Sequence, residues 1–144
     1  VLISGANIGT DIWDIIYPAQ VDSVFKENSI KFAKEVLGYK WMSNLASRRA
    51  IVKGVRNNLA EFGSYRFYNE PNSLCYSVES PDGIVPASRN GSVIMRYTDT
   101  DISAGICHQG EGYRTTCFGF PLESLEDVEQ MNELFKSTLE YFNR

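Results

Sequence analysis

The chain has 144 residues, of which 43% are hydrophobic and 22% charged, and its formal net charge is −4. That length buries a sizeable core without disulfides or metals, so one globular domain is expected over residues 1–144. The mild acidity gives no basic footprint for nucleic acid and no polybasic patch for an anionic membrane, and no run approaches the roughly 18 apolar residues of a membrane span.

Val1 to Ile3 reads as a short apolar strand, and Gly5-Ala6-Asn7-Ile8-Gly9 as a tight turn. A chain that opens in mid-strand is expected to be a piece of a longer protein, so the lack of a visible signal peptide says nothing about secretion. Thr10 or Asp11 then caps a short helix through Tyr17, because their side-chain oxygens accept from free backbone N–H groups; Pro18 ends it. A second helix is expected from Asp22 to Leu37. Val21, Phe25, Phe32 and Val36 share one side, with Ala33 and Leu37 beside them, and Gly38 is placed as a left-handed C-terminal residue. Tyr39 to Ser47 reads as irregular.

From Ala50 the pattern changes to short strands: Ala50 to Val55, Ser64 to Tyr68, and an alternating Leu74 to Val78 that Pro81-Asp82-Gly83 breaks. Ser92 to Tyr97 is followed by a polar turn at Thr98 to Asp101. Ser103 to Gln109 and Tyr113 to Phe118 form a hairpin around Gly110-Glu111-Gly112, where glycine supplies the positive φ. Ser124 to Phe142 reads as a long helix with Leu125, Val128, Met131, Leu134, Phe135, Leu139 and Phe142 on one stripe. Ser124 is its expected N-cap, with Asp127 in the reciprocal capping-box position. The order of strand, helices, strands and helix predicts a sheet covered by helices.

The chemistry-bearing residues are few. His108, the chain's one histidine, is a candidate general base near the end of a strand, and alternation sets it on the face opposite Cys107. Asp82, Asp99, Asp101, Glu111 and Glu123 fall in loops or at element ends, where catalytic acids often sit. Asp99 and Asp101 have turn spacing but no EF-hand pattern. Cys75, Cys107 and Cys117 show no zinc spacing. Cys107 and Cys117 flank the hairpin turn, which leaves a disulfide open, although buried free cysteine is common in strands. No cofactor or metal site is expected. Trp13, Tyr17, Tyr39, Trp41, Tyr65, Phe67 and Tyr68 form two aromatic clusters, and exposed rings of this kind can stack on sugars.

Two segments resemble class I glutamine-amidotransferase-like domains. Active members carry a strand and then G-x-C-x-G, with cysteine on a strand-to-helix elbow; here Gly5-Ala6-Asn7-Ile8-Gly9 matches, and Asn7 stands in the nucleophile position. Tyr113 to Glu123 is similar to the closing strand that ends in a His-Pro-Glu run, and Phe120 stands at the base position. A closer resemblance is to large secreted gut-bacterial proteins often labelled putative xanthan lyase. It is carried by Ser4 to Asp11, Pro81 to Pro86, Ala104 to Ile106 and Gly119 to Glu123.

The resemblance implies an α/β fold. Its expected form is a mixed, largely parallel, flavodoxin-like sheet covered by helices, with a C-terminal antiparallel hairpin and a final long helix. It implies that earlier strands lie upstream of Val1, so an uncovered sheet edge offers a route to oligomers. It also implies a secreted, periplasmic or cell-envelope location. Because an amide cannot form a thioester, the expected function is a non-catalytic, structural or ligand-binding module. Its partners would be the upstream domains of the same protein and a carbohydrate or cell-wall ligand, with Ser4, Asn7, Asp11 and Trp13 as candidate binding residues. The alternative is a hydrolase or lyase acting on glycans or amides through Asp11, His108 or Glu123. A pocket holding Asp11 and Glu123 about one point is expected of the enzyme, and a filled apolar elbow of the inert module.

Overall fold

The computed structural model describes residues 1–13, 22–55, 59 and 63–144. Its strands are β1 (Leu2–Ser4), β2 (Tyr39–Ser43), β3 (Ile51–Gly54), β4 (Ser64–Arg66), β5 (Gly83–Pro86), β6 (Gly91–Tyr97), β7 (Ser103–Gln109) and β8 (Arg114–Phe118). The α-helices are α1 (Ile8–Trp13), α2 (Ser23–Phe32) and α3 (Val128–Phe142), with a π-helical turn at Ala33–Leu37 and a 3-10 turn at Leu122–Ser124. Among the described residues, no helix is long and apolar enough to cross a membrane.

Six strands form one sheet in the order β1-β8-β7-β6-β3-β4, while β2 and β5 form a separate antiparallel pair. Among the described residues only β1 and β8 run parallel; every other pairing in the large sheet is antiparallel. The expectation of a largely parallel, flavodoxin-like sheet covered by helices is therefore wrong. Its physical reason lies in the connections. A parallel neighbour needs a crossover of a dozen or more residues, whereas β6, β7 and β8 follow one another through tight turns. The first turn is closed by the Asp101 N–H donating to the Tyr97 carbonyl at 2.9 Å. The second is closed by Gly110 to Tyr113 at 3.0 Å, with Gly112 at φ 76°. β1 can run parallel to β8 because more than a hundred residues separate them.

Both faces of the β1-β8-β7-β6 region are covered. Val52, Phe67, Ile94, Tyr97, Phe118 and Phe120 pack with Leu134 of α3 in one core, joined by Leu2 and Cys107. On the opposite face Ile106 and Cys117 pack with Ala33, Leu37, Tyr39 and Ile84, joined by Ile3 and Trp13. Alternate residues of β1, β7 and β8 thus enter different cores, which is why these strands read as apolar runs.

Several expected elements are placed differently. β2 and β5 occupy segments read as irregular or strand-breaking, and they pair through a bulge between Trp41 and Ser43. Leu74 to Val78 is not a strand; Val78 alone of its apolar residues is buried. In α2 the expected stripe faces solvent, with Phe25 67% and Phe32 52% exposed, and Val21 lies outside the described residues. Ala33 and Leu37, expected beside that stripe, are buried against the sheet from the π-helical turn. Gly38 then adopts φ 83°, and a Cβ there would lie 2.2 Å from the His108 ring. α3 begins at Val128, not Ser124: Asp127 caps it by accepting from the N–H groups of Glu129 and Gln130 at 2.9 and 3.1 Å. The Ser124 hydroxyl donates to the Pro121 carbonyl instead, at 2.6 Å.

Candidate functional site

β1 ends beside the end of β8, where the Gly5 N–H donates to the Phe118 carbonyl at 3.3 Å. The chain then turns at Asn7, which takes φ 63°, a left-handed conformation that asparagine tolerates better than most residues. The Asn7 carbonyl accepts the first helical bond of α1 from Asp11, at 2.8 Å. Helix α1 therefore starts ahead of Thr10 and Asp11, and neither caps it. Its expected end at Tyr17 and Pro18 lies outside the described residues.

The Thr10 hydroxyl turns inward and donates to Asp82 Oδ1 at 2.8 Å. The Gly9 N–H donates to Asp82 Oδ2 at 2.8 Å and the Trp41 indole N–H to Oδ1 at 3.1 Å. Asp82 is 1% exposed; its carbonyl accepts from the Tyr97 hydroxyl at 2.9 Å, and its N–H donates to Gly119 at 2.7 Å. This carboxylate sits at the positive end of α1. Burial pushes its pKa up, and the donors from Thr10, Gly9 and Trp41 offset only part of that rise. An acyl-transfer elbow would aim amides of this kind at a developing oxyanion; here the Gly9 amide is held by Asp82.

A cleft of about 430 Å³ opens on the outer side of the bend. Ser4 to Asn7 form one wall, Tyr76 to Ser80 the other, and Pro121 and Glu123 complete it. The Tyr76 hydroxyl donates to Glu123 Oε1 at 2.7 Å. Burial, and then this bond to a carboxylate, raise the Tyr76 pKa to about 12. The Cys75 thiol donates to the Glu123 carbonyl at 3.8 Å. The cleft brings together Ser4, Asn7 and Glu123 of the sequence candidates, and adds Tyr76, Glu79 and Ser80. Tyr76 was obscured by its placement in an expected strand, and Asp82 by its place in a Pro-Asp-Gly turn signal.

Other candidates lie elsewhere. Asp11 lines a separate groove of about 550 Å³, walled by Ile3, Ile8, Ile12, Phe25 and Phe32, so Asp11 and Glu123 do not converge. Trp13 packs its ring 5.6 Å from that of Tyr39. His108 is 5% exposed, its ring against Gly38 and its Nδ1 without a hydrogen-bond partner among the described residues. Burial lowers its pKa, which favours the neutral imidazole. Phe120 is fully buried, stacked on Phe67 with ring centres 5.2 Å apart. Cys107 and Cys117 point to opposite faces of the sheet, and all three cysteines are free thiols. Asp99 accepts from the Ser47 hydroxyl at 2.8 Å and the Arg48 N–H at 2.9 Å. Among the described residues, no group of three or more His, Cys, Asp or Glu could hold a metal ion. Comparison of the chain with protein-family models and with curated proteins finds no match.

Proposed function

We propose that this chain is a non-catalytic ligand-binding module, and that the cleft between Asn7, Tyr76 and Glu123 receives a carbohydrate or cell-wall glycan. Its place is within a larger secreted or envelope protein that handles polysaccharide or peptidoglycan. The observation that carries the reading is the lining of the cleft. Ser4, Asn7, Ser77 and Ser80 offer hydroxyl and amide groups beside a half-exposed Tyr76 ring. Sugars present the complementary pattern of hydroxyls around an apolar face. The position that the resemblance gives to the nucleophile holds an amide, Asn7, and His108 and Phe120 are buried rather than lining the cleft.

Titration of the chain with neutral oligosaccharides, followed by calorimetry and by Tyr76 ring signals, tests the proposal. Saturable binding that Tyr76→Ala weakens by about tenfold, the loss of about 1.4 kcal/mol, is expected. Absence of binding by every glycan, or binding indifferent to Tyr76, would sink it.

A second reading is a glycan hydrolase or lyase, favoured by one observation: Glu79 and Glu123 line the same cleft, and paired carboxylates can serve as acid and base. Turnover of a bound oligosaccharide that Glu123→Gln abolishes would select this reading.

A further inference from the structure

Resting on the ligand-binding reading of the cleft, we infer that it takes a neutral or amine-bearing sugar and rejects acidic glycans. Its ionisable carboxyl groups are Glu79 and Glu123, and no Lys, Arg or His is among its described lining residues. Arginine and lysine are the side chains that pair with carboxylate and phosphate groups, and neither is among the described residues of the walls. The Gly9 amide at the bend is taken from inside. Asp82 accepts from the Gly9 N–H and the Thr10 hydroxyl at 2.8 Å each, so a buried carboxylate holds the place an anionic ligand would seek.

Glu123 is oriented for the opposite role. Its Oε1 accepts from the Tyr76 hydroxyl, which fixes the carboxylate, while Oε2 has no partner among the described residues. Such an oxygen accepts from a sugar hydroxyl, and accepts more strongly from a protonated amine, since charge-assisted bonds are roughly twice as strong as neutral ones. A uronate would instead meet two like charges across a small cleft.

The test uses the whole chain and three oligosaccharides of matched length: one of glucosamine, one of N-acetylglucosamine and one of galacturonate. Each is titrated at low and at high salt. The glucosamine and N-acetylglucosamine oligomers should bind, with the amine form tighter at low salt and its advantage lost at high salt. The galacturonate oligomer should bind at least about tenfold more weakly. Both glutamates are exposed, so the Glu79→Gln, Glu123→Gln double variant should fold, and circular dichroism checks that it does. It should bring the three affinities together. Equal or tighter binding of galacturonate, or an order of affinities that the double variant leaves unchanged, overturns the inference while leaving a glycan-binding cleft. Binding by none of the three overturns this inference, and if neutral glucose and galactose oligomers also fail to bind, the cleft reading falls with it.

Discussion

At Asp82 two effects oppose each other. Desolvation disfavours the carboxylate, and donors from Thr10, Gly9 and Trp41 favour it; the net result is a raised pKa. The sign of the consequence follows from linkage. A carboxyl whose folded pKa lies above its unfolded one contributes fully below the unfolded pKa, and its contribution declines as pH rises through the folded pKa. Asp99 has the opposite sign. Burial raises its pKa, but the Arg48 N–H, the Ser47 hydroxyl and the Arg49 N–H together hold it below the ordinary carboxylate value. Its contribution is present above the unfolded pKa and lost as pH falls through the folded one. Denaturant unfolding followed from acid to neutral pH should therefore show Asp82→Asn losing the decline on the rising-pH side, and Asp99→Asn losing part of the acid-side fall. At fixed neutral pH, Asp82→Ala should cost about 2–4 kcal/mol, because the Gly9 N–H, the Thr10 hydroxyl and the Trp41 indole lose a buried acceptor. A pH profile identical to that of the parent chain in both Asn variants would contradict the account.

Among the elements, the hairpins were legible and the helix faces were not. β6, β7 and β8 announce themselves because their turns carry glycine or polar residues at the required positions, and the strands between them lie within a residue or two of the expected bounds. The small β2–β5 pair was hidden because its strands hold no clean alternation and pair across a bulge. In α3 the apolar stripe was read too broadly. Leu134 is buried, whereas Val128, Phe135 and Leu139 are exposed, and the polar Thr138 takes the inward place. Thr138 is accommodated because its hydroxyl donates to the Leu134 carbonyl at 2.9 Å, which removes the penalty of burying it. The cap of α3 offers a direct test. Asp127→Ala leaves the Glu129 and Gln130 amides without their acceptor and should cost about 1 kcal/mol, with fraying confined to the first turn. Ser124→Ala removes the bond to Pro121 and should leave amide exchange in that first turn unchanged. Fraying in the serine variant, and none in the aspartate variant, would restore the cap that the sequence pattern suggests.

For the molecule as a whole, the bend at Asn7 was found from sequence, but the sheet around it was not. Short motifs such as Gly5 to Gly9 report local turn chemistry, while strand direction depends on which distant segments meet, as β1 and β8 do across more than a hundred residues. The same long-range arrangement makes a prediction about cooperativity. β1, β7 and β8 send alternate side chains into both cores, so neither core can come apart while the other persists. Leu134→Ala empties a buried position against α3 and should cost about 2–5 kcal/mol. Of the two tryptophans, Trp13 of α1 packs against the core on the side of the sheet opposite α3, and Trp41 of β2 lies against Gly9 of α1 and donates to Asp82. Their fluorescence therefore reports a layer that the substitution does not touch. If the shared strands couple the cores, the fluorescence midpoint in denaturant shifts down together with that of far-ultraviolet circular dichroism, in one transition. A fluorescence midpoint that stays in place while the dichroism midpoint falls would mean that the two layers unfold independently, and that the strands between them transmit no stability from one face to the other.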